Sequence, residues 1–600
     1  MIAELGRGYL TDLAWSPDGM QIAAGSSIGL YVFSASTLEQ LWFLPTDGRI
    51  RTVDFTPDGT RLLILAGDDA ILVDAQARAP IITVSGEGGF LRALTLSPDG
   101  QYIAGKTTDY SCDVIEDADT LVWNAKTGSR LFRFEEDPVF LRFDAESRLM
   151  GLSDGKLFRW DLLDGTLLEE MDLDYLPTVL DVSQDGKIAA TQSSDDRIEY
   201  REIASGILLS SLPAQFADHM GFLSGHLIAI GSGEHIFLYD LLANKEVAIW
   251  DERDGEIYGI RMSPDGTRAI TVGEDTLQLR SFQAGGILAE TGGFAGGSDA
   301  VIFDPTGEMI AVAHNDGQVK LWSLAEKEAV LTLDYFDNEE AGQPIPNQLV
   351  FSPDGQWLAA ADYNADVVVW HLPEPKPAAV FSFRSPVISL EFSGDNVALY
   401  MVTESLWRFH RWVLSNDPRE GLEDMTSLVE LSLEQWKQLD SVGRSEFIAV
   451  AASHSETEPI FLWRPEDPVQ IYELPDSWAH DAVYDPVRDV IAVGIFWSWE
   501  VELRSFPGNS LIHTFENRVG EPWSLTYLAQ PDIFVWSVYN RFCGNDGIYV
   551  QYGDPLDGGI HDISAEQTGT VWSVAVDPSG RLLATVGSDG VVRIWEFSPR

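Results

Sequence analysis

The C-terminal stretch 570–595 reads TVWSVAVDPSGRLLATVGSDGVVRIW and decides the fold of this chain. It contains three runs of strand-forming residues, at 571–576, 582–586 and 591–595, separated by the turn sequences DPSG and SDG. Asp-Gly between alternating apolar residues is a strong hairpin signal, because a tight two-residue turn needs positive φ. The stretch therefore predicts a three-stranded antiparallel meander. Such a unit buries too little apolar surface to be stable alone, so copies of it must pack on one another.

Related segments recur along nearly the whole chain. Aligned on the residue equivalent to Asp577, they form fourteen repeats with successive spacings of 39 to 49 residues and a mean of about 43. This period is typical of a four-stranded propeller blade, and an apolar run before each turn supplies the fourth strand. The anchor residues are Ser16, Thr56, Ser97, Asp144, Ser183, Phe222, Ser263, Asp304, Ser352, Ser393, Val442, Asp485, Leu528 and Asp577.

These repeats resemble those of the WD-repeat β-propeller family. The resemblance rests on the SPDG-type turns, the GSDG hairpin and an aromatic residue that ends the third strand, as in Trp322, Trp370 and Trp595. The Gly-His dipeptide that often opens a repeat of this family is absent at the expected places. The family's His-containing hydrogen-bond tetrad therefore cannot be assumed, and packing of the blade faces must supply more of the stability.

The repeat number predicts an all-β fold of two seven-bladed β-propellers built from fourteen four-stranded WD-like repeats, because propellers close with typically about four to eight blades. The glycine-rich stretch 284–297 suggests a first propeller at 1–290 and a second at 291–600. A division into six and eight blades is the alternative. The chain stops after the third strand of its last repeat, so a strand at 2–5 is expected to complete a C-terminal blade. A strand at 287–290 is a second candidate for closing a ring.

The composition limits the classes of partner. The chain has 94 acidic and 39 basic residues and a formal net charge of −55, which argues against nucleic acid and anionic membranes as general partners. A highly solvated surface, a high-salt environment and recruitment of a basic partner are three explanations of this charge. The N-terminal sequence shows no secretory signal and no run suggests a membrane span, so a cytoplasmic protein is expected. The oligomeric state is not predicted.

Sequence signatures of catalysis, cofactors and metals are absent. The chain lacks GxSxG, HExxH, Walker-type and CxxCH motifs, and its ten histidines are scattered. The two cysteines, Cys112 and Cys543, lie far apart and form neither a disulfide framework nor a CxxC site. The acidic clusters lack the spacing of a calcium loop, so solvated turns are favoured. We therefore expect no enzyme activity, no cofactor and no metal.

The distribution of tryptophan suggests a binding surface. Of 19 tryptophans, fourteen follow residue 300, and some of these are out of register with the predicted core. The family resemblance implies that the hairpin between the second and third strands shares a face with the loop entering the first strand, where partners commonly dock. That face of repeats twelve and thirteen would collect residue types that are enriched in binding hot spots. The predicted partner-binding residues there are Trp478, Trp497, Trp499, Trp523, Tyr539, Arg541 and Phe542. Blade packing is the alternative role for most of them.

A second indicator is the position five residues before each anchor. In the first predicted propeller it holds Arg51 and Arg92 in neighbouring repeats, and near the C-terminus it holds Trp523 and Trp572. The two arginines are candidates for binding an acidic peptide or an anion, with neutralisation of neighbouring carboxylates as the alternative. The sequence as a whole favours a non-catalytic protein-protein interaction scaffold or sensor platform with a protein or peptide partner, and a basic partner is one of the explanations of its acidic charge. The alternative is a propeller enzyme or small-ligand binder that uses a central channel.

Overall fold

The structure is a computed structural model of the 600-residue chain. The residues that it describes are 3–86, 90–111, 114–116, 119–134, 140–143, 146–153, 156–172, 178–182, 187–192, 197–202, 205, 207–213, 219–224, 227–232, 235–243, 245–251, 259–263, 265–272, 276–281, 286–294, 296–315, 317–333, 346–393, 395–403, 408–414, 422–424, 448–450, 459–464, 467–473, 479–485, 488–495, 499–505, 510–516, 520–528, 533–539, 549–554, 559–563, 570–579 and 581–596.

Fourteen antiparallel sheets make up this described part of the chain, in which no helix occurs. Twelve sheets have four strands, one has five and one has three. In twelve of the sheets, strands that follow one another in the chain are neighbours, so these sheets are meanders; of the other two, one has a short strand that pairs outside the main order and one contains the first strand of the chain beside the last. The predicted all-β fold and its four-stranded repeats are therefore confirmed. We number the sheets 1 to 14 and the strands β1 to β56 in chain order.

Sheets 1 to 7 lie between Leu10 and Thr291. Their strands are, in sheet 1, β2 (Leu10–Trp15), β3 (Gln21–Ser26), β4 (Gly29–Ser34) and β5 (Gln40–Pro45); in sheet 2, β6 (Ile50–Phe55), β7 (Arg61–Ala66), β8 (Asp69–Asp74) and β9 (Ala79–Ser85); in sheet 3, β10 (Phe90–Leu96), β11 (Tyr102–Ser111), β12 (Val114–Glu116), β13 (Thr120–Asn124) and β14 (Arg130–Phe134); in sheet 4, β15 (Phe140–Phe143), β16 (Leu149–Ser153), β17 (Lys156–Trp160) and β18 (Leu167–Asp172); in sheet 5, β19 (Thr178–Val182), β20 (Ile188–Gln192), β21 (Arg197–Glu202) and β22 (Leu208–Pro213); in sheet 6, β23 (His219–Ser224), β24 (Leu227–Ser232), β25 (His235–Asp240) and β26 (Lys245–Asp251); and in sheet 7, β27 (Gly259–Met262), β28 (Arg268–Val272), β29 (Leu277–Ser281) and β30 (Ile287–Thr291).

Sheets 8 to 14 follow, and the last of them also contains the first strand of the chain. Their strands are, in sheet 8, β31 (Ser298–Phe303), β32 (Met309–His314), β33 (Val319–Ser323) and β34 (Glu328–Leu333); in sheet 9, β35 (Pro346–Phe351), β36 (Trp357–Asp362), β37 (Asp366–His371) and β38 (Ala379–Ser382); in sheet 10, β39 (Val387–Phe392), β40 (Ala398–Thr403), β41 (Arg408–Val413) and β42 (Leu422–Asp424); in sheet 11, β43 (Ile448–Val450), β44 (Pro459–Arg464) and β45 (Asp467–Glu473); in sheet 12, β46 (Ala479–Asp485), β47 (Val490–Ile495), β48 (Glu500–Ser505) and β49 (Leu511–Glu516); in sheet 13, β50 (Glu521–Leu528), β51 (Ile533–Tyr539), β52 (Tyr549–Asp554) and β53 (Gly559–Ile563); and in sheet 14, β54 (Val571–Val576), β55 (Leu582–Gly587), β56 (Val592–Glu596) and β1 (Ala3–Leu5).

The contacts of the chain divide it into two compact units. One, which we call the N-unit, is Tyr9–Phe294, and the other, the C-unit, consists of Met1–Gly8 together with Ala295–Arg600. Among the described residues, each unit contains seven sheets. The short N-terminal segment thus belongs to the unit that holds the C-terminus.

In each unit the first and last sheets share a hydrophobic core. In the N-unit, Ile22 and Phe33 of sheet 1 pack in one cluster with Ile270 and Leu279 of sheet 7. In the C-unit, Val301, Phe303, Ile310 and Val312 of sheet 8 pack with Ala584, Val586, Val592 and Ile594 of sheet 14. Packing of the last sheet on the first is what ring closure requires, so each unit is compatible with a seven-bladed propeller.

Strand β1 completes sheet 14. It pairs antiparallel with β56 in the register Ala3 with Ile594 and Leu5 with Val592, and the Leu5 side chain is buried in the core between sheets 14 and 8. This is the C-terminal blade that the sequence left incomplete. The other candidate for a closing strand, β30, is instead the fourth strand of sheet 7, where it pairs with β29.

The anchor turns use two reciprocal sets of hydrogen bonds. In the turn at 16–19, the Ser16 hydroxyl donates to the Asp18 carboxylate over 2.6 Å and accepts from the Gln21 amide over 2.8 Å. In the last repeat the roles are exchanged, because the Asp577 carboxylate accepts from the backbone amides of Ser579 and Leu582. The glycine that follows Asp18, Gly19, has φ of 68°, a conformation that favours glycine. Either an SPDG or a DPSG sequence therefore satisfies the same turn.

The hydrogen bonds of the last repeat include no histidine among the described residues. The Trp595 indole donates to Thr585 over 3.0 Å, while Asp589 binds the buried Arg593 guanidinium over 2.6 Å. Arginine is thus the buried charge partner of the aspartate in this repeat.

Candidate functional site

A β-bulge marks the start of most first strands. In sheets 1, 2, 3, 8, 9, 10, 12, 13 and 14 the register of the first strand shifts at the position five residues before the anchor. A bulged residue has no direct partner on the neighbouring strand, and the bulge turns its side chain away from the regular alternation. This position therefore presents a variable side chain at the same end of successive sheets.

The residue after the bulge connects neighbouring sheets. In sheet 1, the Asp12 carboxylate accepts a hydrogen bond of 3.0 Å from the Val53 amide of sheet 2. In sheet 12, Asp481 accepts one of 2.7 Å from the Leu525 amide of sheet 13. These bonds join first strands that are not paired in one sheet, so they fix the positions of the bulged residues relative to one another.

Three aromatic side chains meet at the bulge end of sheets 13 and 14. The ring centroids of Trp523 and Tyr539 are 5.5 Å apart, those of Trp523 and Trp572 are 5.4 Å apart, and those of Tyr539 and Trp572 are 5.4 Å apart. Each pair is tilted or edge-to-face, the geometry that aromatic quadrupoles prefer. We call Trp523, Tyr539 and Trp572 the aromatic triad.

The strands hold the triad in place. Trp523 and Trp572 lie on the bulges of β50 and β54, and Tyr539 ends β51, where its Cα pairs with that of Glu521. Below the triad, Val538 and Val571 are buried in the blade cores. The three aromatic side chains themselves are only partly buried. The triad is therefore a partly exposed aromatic cluster on two neighbouring sheets rather than part of a blade core.

The other predicted residues of this face have different positions. Trp499 directly precedes β48, is partly buried, and adopts φ of 60°, which is unfavourable for a bulky side chain. The structure does not bring it into the triad. Trp478, Trp497, Arg541 and Phe542 lie outside the described residues.

Trp572 was not among the residues that the sequence predicted for this site. The feature of the sequence that identifies Trp572 is its position five residues before the anchor, which also selects Trp523 in the preceding repeat. Hairpin position, in contrast, predicts the surface in repeats twelve and thirteen. The structure places the aromatic contacts across sheets 13 and 14.

A polar sector adjoins the triad along the C-unit. Sheets 13 and 14 share a core around Val535 and Leu583, and sheets 14 and 8 share another. On the bulge of sheet 8, desolvation raises the pKa of Asp299 to about 6. In sheet 9, Tyr363 is 56% exposed at the hairpin after β36, and desolvation followed by the negative charge of Asp299 raises the pKa of Tyr363. Asp299 and Tyr363 therefore lie close to each other at the same end of the sheets as the triad.

The predicted arginine pair lies in the N-unit. Arg51 sits on the bulge of β6, donates a hydrogen bond of 3.2 Å to the Leu91 carbonyl and approaches the Asp68 carboxylate to 4.0 Å. Arg92 sits on the bulge of β10, and its side chain is outside the described part of the structure. The contacts of Arg51 fit the alternative role, neutralisation of a neighbouring carboxylate. Anion binding by the two arginines stays a prediction.

A second cluster of charged side chains lies along the first strands of the N-unit. Arg261 of β27 forms an ion pair of 3.1 Å with Asp12 of β2, and the two residues join sheets 7 and 1. Asp54 of β6 is accessible to water, yet desolvation and the negative charge of Asp12 raise its pKa to about 6, while Arg142 and Arg261 oppose this shift. The first strands of sheets 1, 2, 4 and 7 thus contribute interacting charges to one polar zone.

The described residues contain no group of three or more His, Cys, Asp or Glu side chains arranged to hold a metal ion. They also contain no helix long and apolar enough to cross a membrane. Cys112 and Cys543 are outside the described residues.

Comparison with known families identified three segments of this chain. Residues 296–323, 341–371 and 560–596 match the family model described as WD domain, G-beta repeat. The first two segments lie in the region of sheets 8 and 9, and the third runs from β53 of sheet 13 to β56 of sheet 14. No curated protein matched the sequence. The chain therefore carries WD40 repeats, and its four-stranded sheets are consistent with a WD-repeat β-propeller.

Proposed function

We propose that this chain, which carries WD40 repeats in at least three segments, is a non-catalytic interaction platform whose protein partner docks on the aromatic triad. WD40 repeats generally mediate protein-protein interaction or scaffolding, and proteins built from them are typically non-enzymatic. The observation that carries the proposal is the contact of three partly exposed aromatic rings on neighbouring sheets. We further propose that each unit is one seven-bladed propeller.

The physical basis is the cost of ordering a binding surface. Tryptophan and tyrosine are enriched in hot spots because they offer a large contact area with few rotatable bonds. Trp523 and Trp572 lie on strands whose neighbours are fixed by ladder hydrogen bonds and buried valines. A partner would therefore meet a preformed aromatic surface, and little conformational entropy would be lost on docking.

Affinity purification from the native host with the full chain as bait tests this proposal. We expect Trp523→Ser and Trp572→Ser baits to lose one and the same partner that the unchanged bait retains. The matched control is Leu511→Ser, which removes an apolar side chain that is 52% exposed on the outer strand β49 of the C-unit. Equal loss in the control bait would assign capture to general surface hydrophobicity and contradict docking on the triad. Purification at two salt concentrations separates electrostatic from apolar binding.

A second candidate function is small-ligand binding in the N-unit. It is favoured by the accessible Asp54 carboxylate, which interacts with Asp12, Arg142 and Arg261 along the first strands. Accessible charged groups with limited solvation are common in ligand sites. Asp54→Asn should abolish ligand-induced thermal stabilisation of the N-unit if this function holds, whereas the triad variants should leave it unchanged.

A further inference from the structure

The surroundings of the aromatic triad favour one class of partner group. The faces of tryptophan and tyrosine rings carry negative potential and attract cations, tryptophan most strongly. The neighbouring sector of sheets 8 and 9 adds the Asp299 carboxylate and the exposed Tyr363 ring. Sheets 13, 14, 8 and 9 pack in sequence, since each neighbouring pair shares a core cluster.

The net charge of the whole protein also favours a positively charged partner. With 94 acidic against 39 basic residues, its field attracts positively charged segments and repels acidic ones. The field alone gives no specificity, because it would draw a cation to any part of the surface. An aromatic surface beside a poorly solvated carboxylate supplies the missing local selectivity. Desolvation raises the pKa of Asp299 to about 6, and a bound cation would offset that unfavourable solvation.

We infer that the triad and the adjoining Asp299 form a receptor for a basic segment of the partner, with an arginine or lysine side chain placed against the aromatic rings. This inference rests on the proposed function and narrows it to one partner chemistry. Arginine fits better than lysine, because its planar guanidinium is less strongly hydrated and stacks on aromatic rings. An uncharged polar segment is the other occupant that the test distinguishes.

The test uses the full chain and two fluorescein-labelled peptides of equal length. One alternates glycine with arginine, and the other alternates glycine with citrulline, which has nearly the same shape without the charge. Fluorescence anisotropy at low salt should show the arginine peptide binding at least about tenfold more tightly than the citrulline peptide. Similar affinity for the two peptides, or no binding of the arginine peptide, would overturn the inference.

Three variants assign the binding to this surface. Trp572→Leu and Asp299→Asn should each lower the affinity for the arginine peptide by about five- to tenfold. Trp572→Phe keeps an aromatic ring with a weaker cation attraction, so it should give a smaller loss and also checks against unfolding. The matched control is Glu328→Gln on the outer strand β34 of sheet 8, which removes one exposed carboxylate from the same sheet. Equal losses for Asp299→Asn and Glu328→Gln would assign the attraction to the general field and contradict the inference.

The outcomes also separate this inference from the proposed function. If both peptides bind alike and both are lost in Trp572→Leu, the triad is a docking surface that does not require a charged side chain, and only the cation inference fails. If Trp572→Leu folds normally and retains full binding of the arginine peptide, the inference fails, whereas the proposed docking surface fails if the Trp572→Ser bait retains its partner. Circular dichroism and the melting temperature of each variant establish that it is folded.

Discussion

Glu4 and Arg593 stand 589 positions apart in the chain and form an ion pair of 3.1 Å between the first and the last strand. The Arg593 side chain is 1% exposed and also binds Asp589 over 2.6 Å, whereas Glu4 is 43% exposed. Sheet 14 therefore contains a fully buried ion pair, a second ion pair that is exposed only on its Glu4 side, and the buried Leu5 side chain.

These differences predict unequal effects on stability. Arg593→Leu should destabilise the C-unit by about 3 to 5 kcal/mol, because it leaves Asp589 buried without its guanidinium partner. Glu4→Gln should change the free energy of unfolding by less than about 1 kcal/mol, because Glu4 is 43% exposed and Asp589 still neutralises the buried Arg593 guanidinium. Urea denaturation of the two variants measures both values. A larger effect for Glu4→Gln would show that this account of the ion pairs is wrong.

Removal of residues 1–8 should destabilise the C-unit and leave the N-unit unchanged. The deletion exposes the edge of β56 and removes Leu5 from the core between sheets 14 and 8. Hydrogen exchange followed by mass spectrometry would locate the change, with faster exchange expected in sheets 14 and 8. Faster exchange in sheets 1 to 7 as well would contradict the assignment of the N-terminal strand to the C-unit alone.

The two forms of anchor turn predict a rescue. Asp577→Ala should destabilise the chain by about 2 kcal/mol, because a carboxylate that accepts several backbone hydrogen bonds is lost. Ser16→Ala should have the smaller effect of about 1 kcal/mol. The double variant Asp577→Ser with Ser579→Asp converts DPSG into SPDG, the sequence of the turn at 16–19. Its free energy of unfolding should return close to that of the unchanged chain, and a double variant as unstable as Asp577→Ala would refute the reciprocity.

Carboxyl groups with raised pKa values predict greater stability at mildly acidic pH. Desolvation raises the pKa of Asp481 to about 6 and that of Glu391 to about 7, and the other groups raised to about 6 are Asp54, Asp299 and Asp362. Between the unfolded and folded pKa values the native state binds more protons, so this stability is present at low pH and decreases as pH rises toward 7.

The turn aspartates have the opposite effect on stability, in a lower pH range. For example, hydrogen bonds from Ser263 and Thr267 lower the pKa of Asp265 to about 2, so that contribution is lost as pH falls from about 4 toward 2.

We therefore expect a higher melting temperature near pH 5 than at pH 8. Glu391→Gln should reduce the difference in unfolding free energy between these pH values by an amount on the order of 2 kcal/mol. Glu374→Gln, which changes an exposed carboxylate of the same unit, is the control and should leave the pH dependence unaltered. The same pH dependence in both variants would show that Glu391 does not contribute to it.

The backbone at Trp499 predicts a gain in stability. Its φ of 60° is unfavourable for a residue with a Cβ atom by roughly 1 kcal/mol, and glycine adopts this conformation freely. Trp499→Gly should therefore leave the melting temperature unchanged or raise it slightly. A fall as large as that of Trp536→Leu, which removes a fully buried tryptophan, would show that the Trp499 side chain supplies essential packing.

Local sequence was sufficient to predict the strands. The alternation of apolar residues around Ile22, Ile310 and Leu583 and the SPDG or DPSG turns between them act within a single hairpin, so they are readable without tertiary information. The period of the turns then predicted fourteen sheets. The aromatic surface was only partly predicted, because hairpin position alone selected Trp499 and omitted Trp572.

By itself, then, the sequence determined the all-β repeat, its turns and its strongly acidic surface, since each depends on neighbouring residues or on composition. Tertiary structure decided which sheets meet. It placed β1 beside β56, joined sheet 7 to sheet 1 and sheet 14 to sheet 8, and brought Trp523 and Trp572 into contact with Tyr539. The physical reason is that these contacts join residues far apart in the chain. Their geometry depends on the bulges and on packing between sheets, which no local pattern of residues specifies.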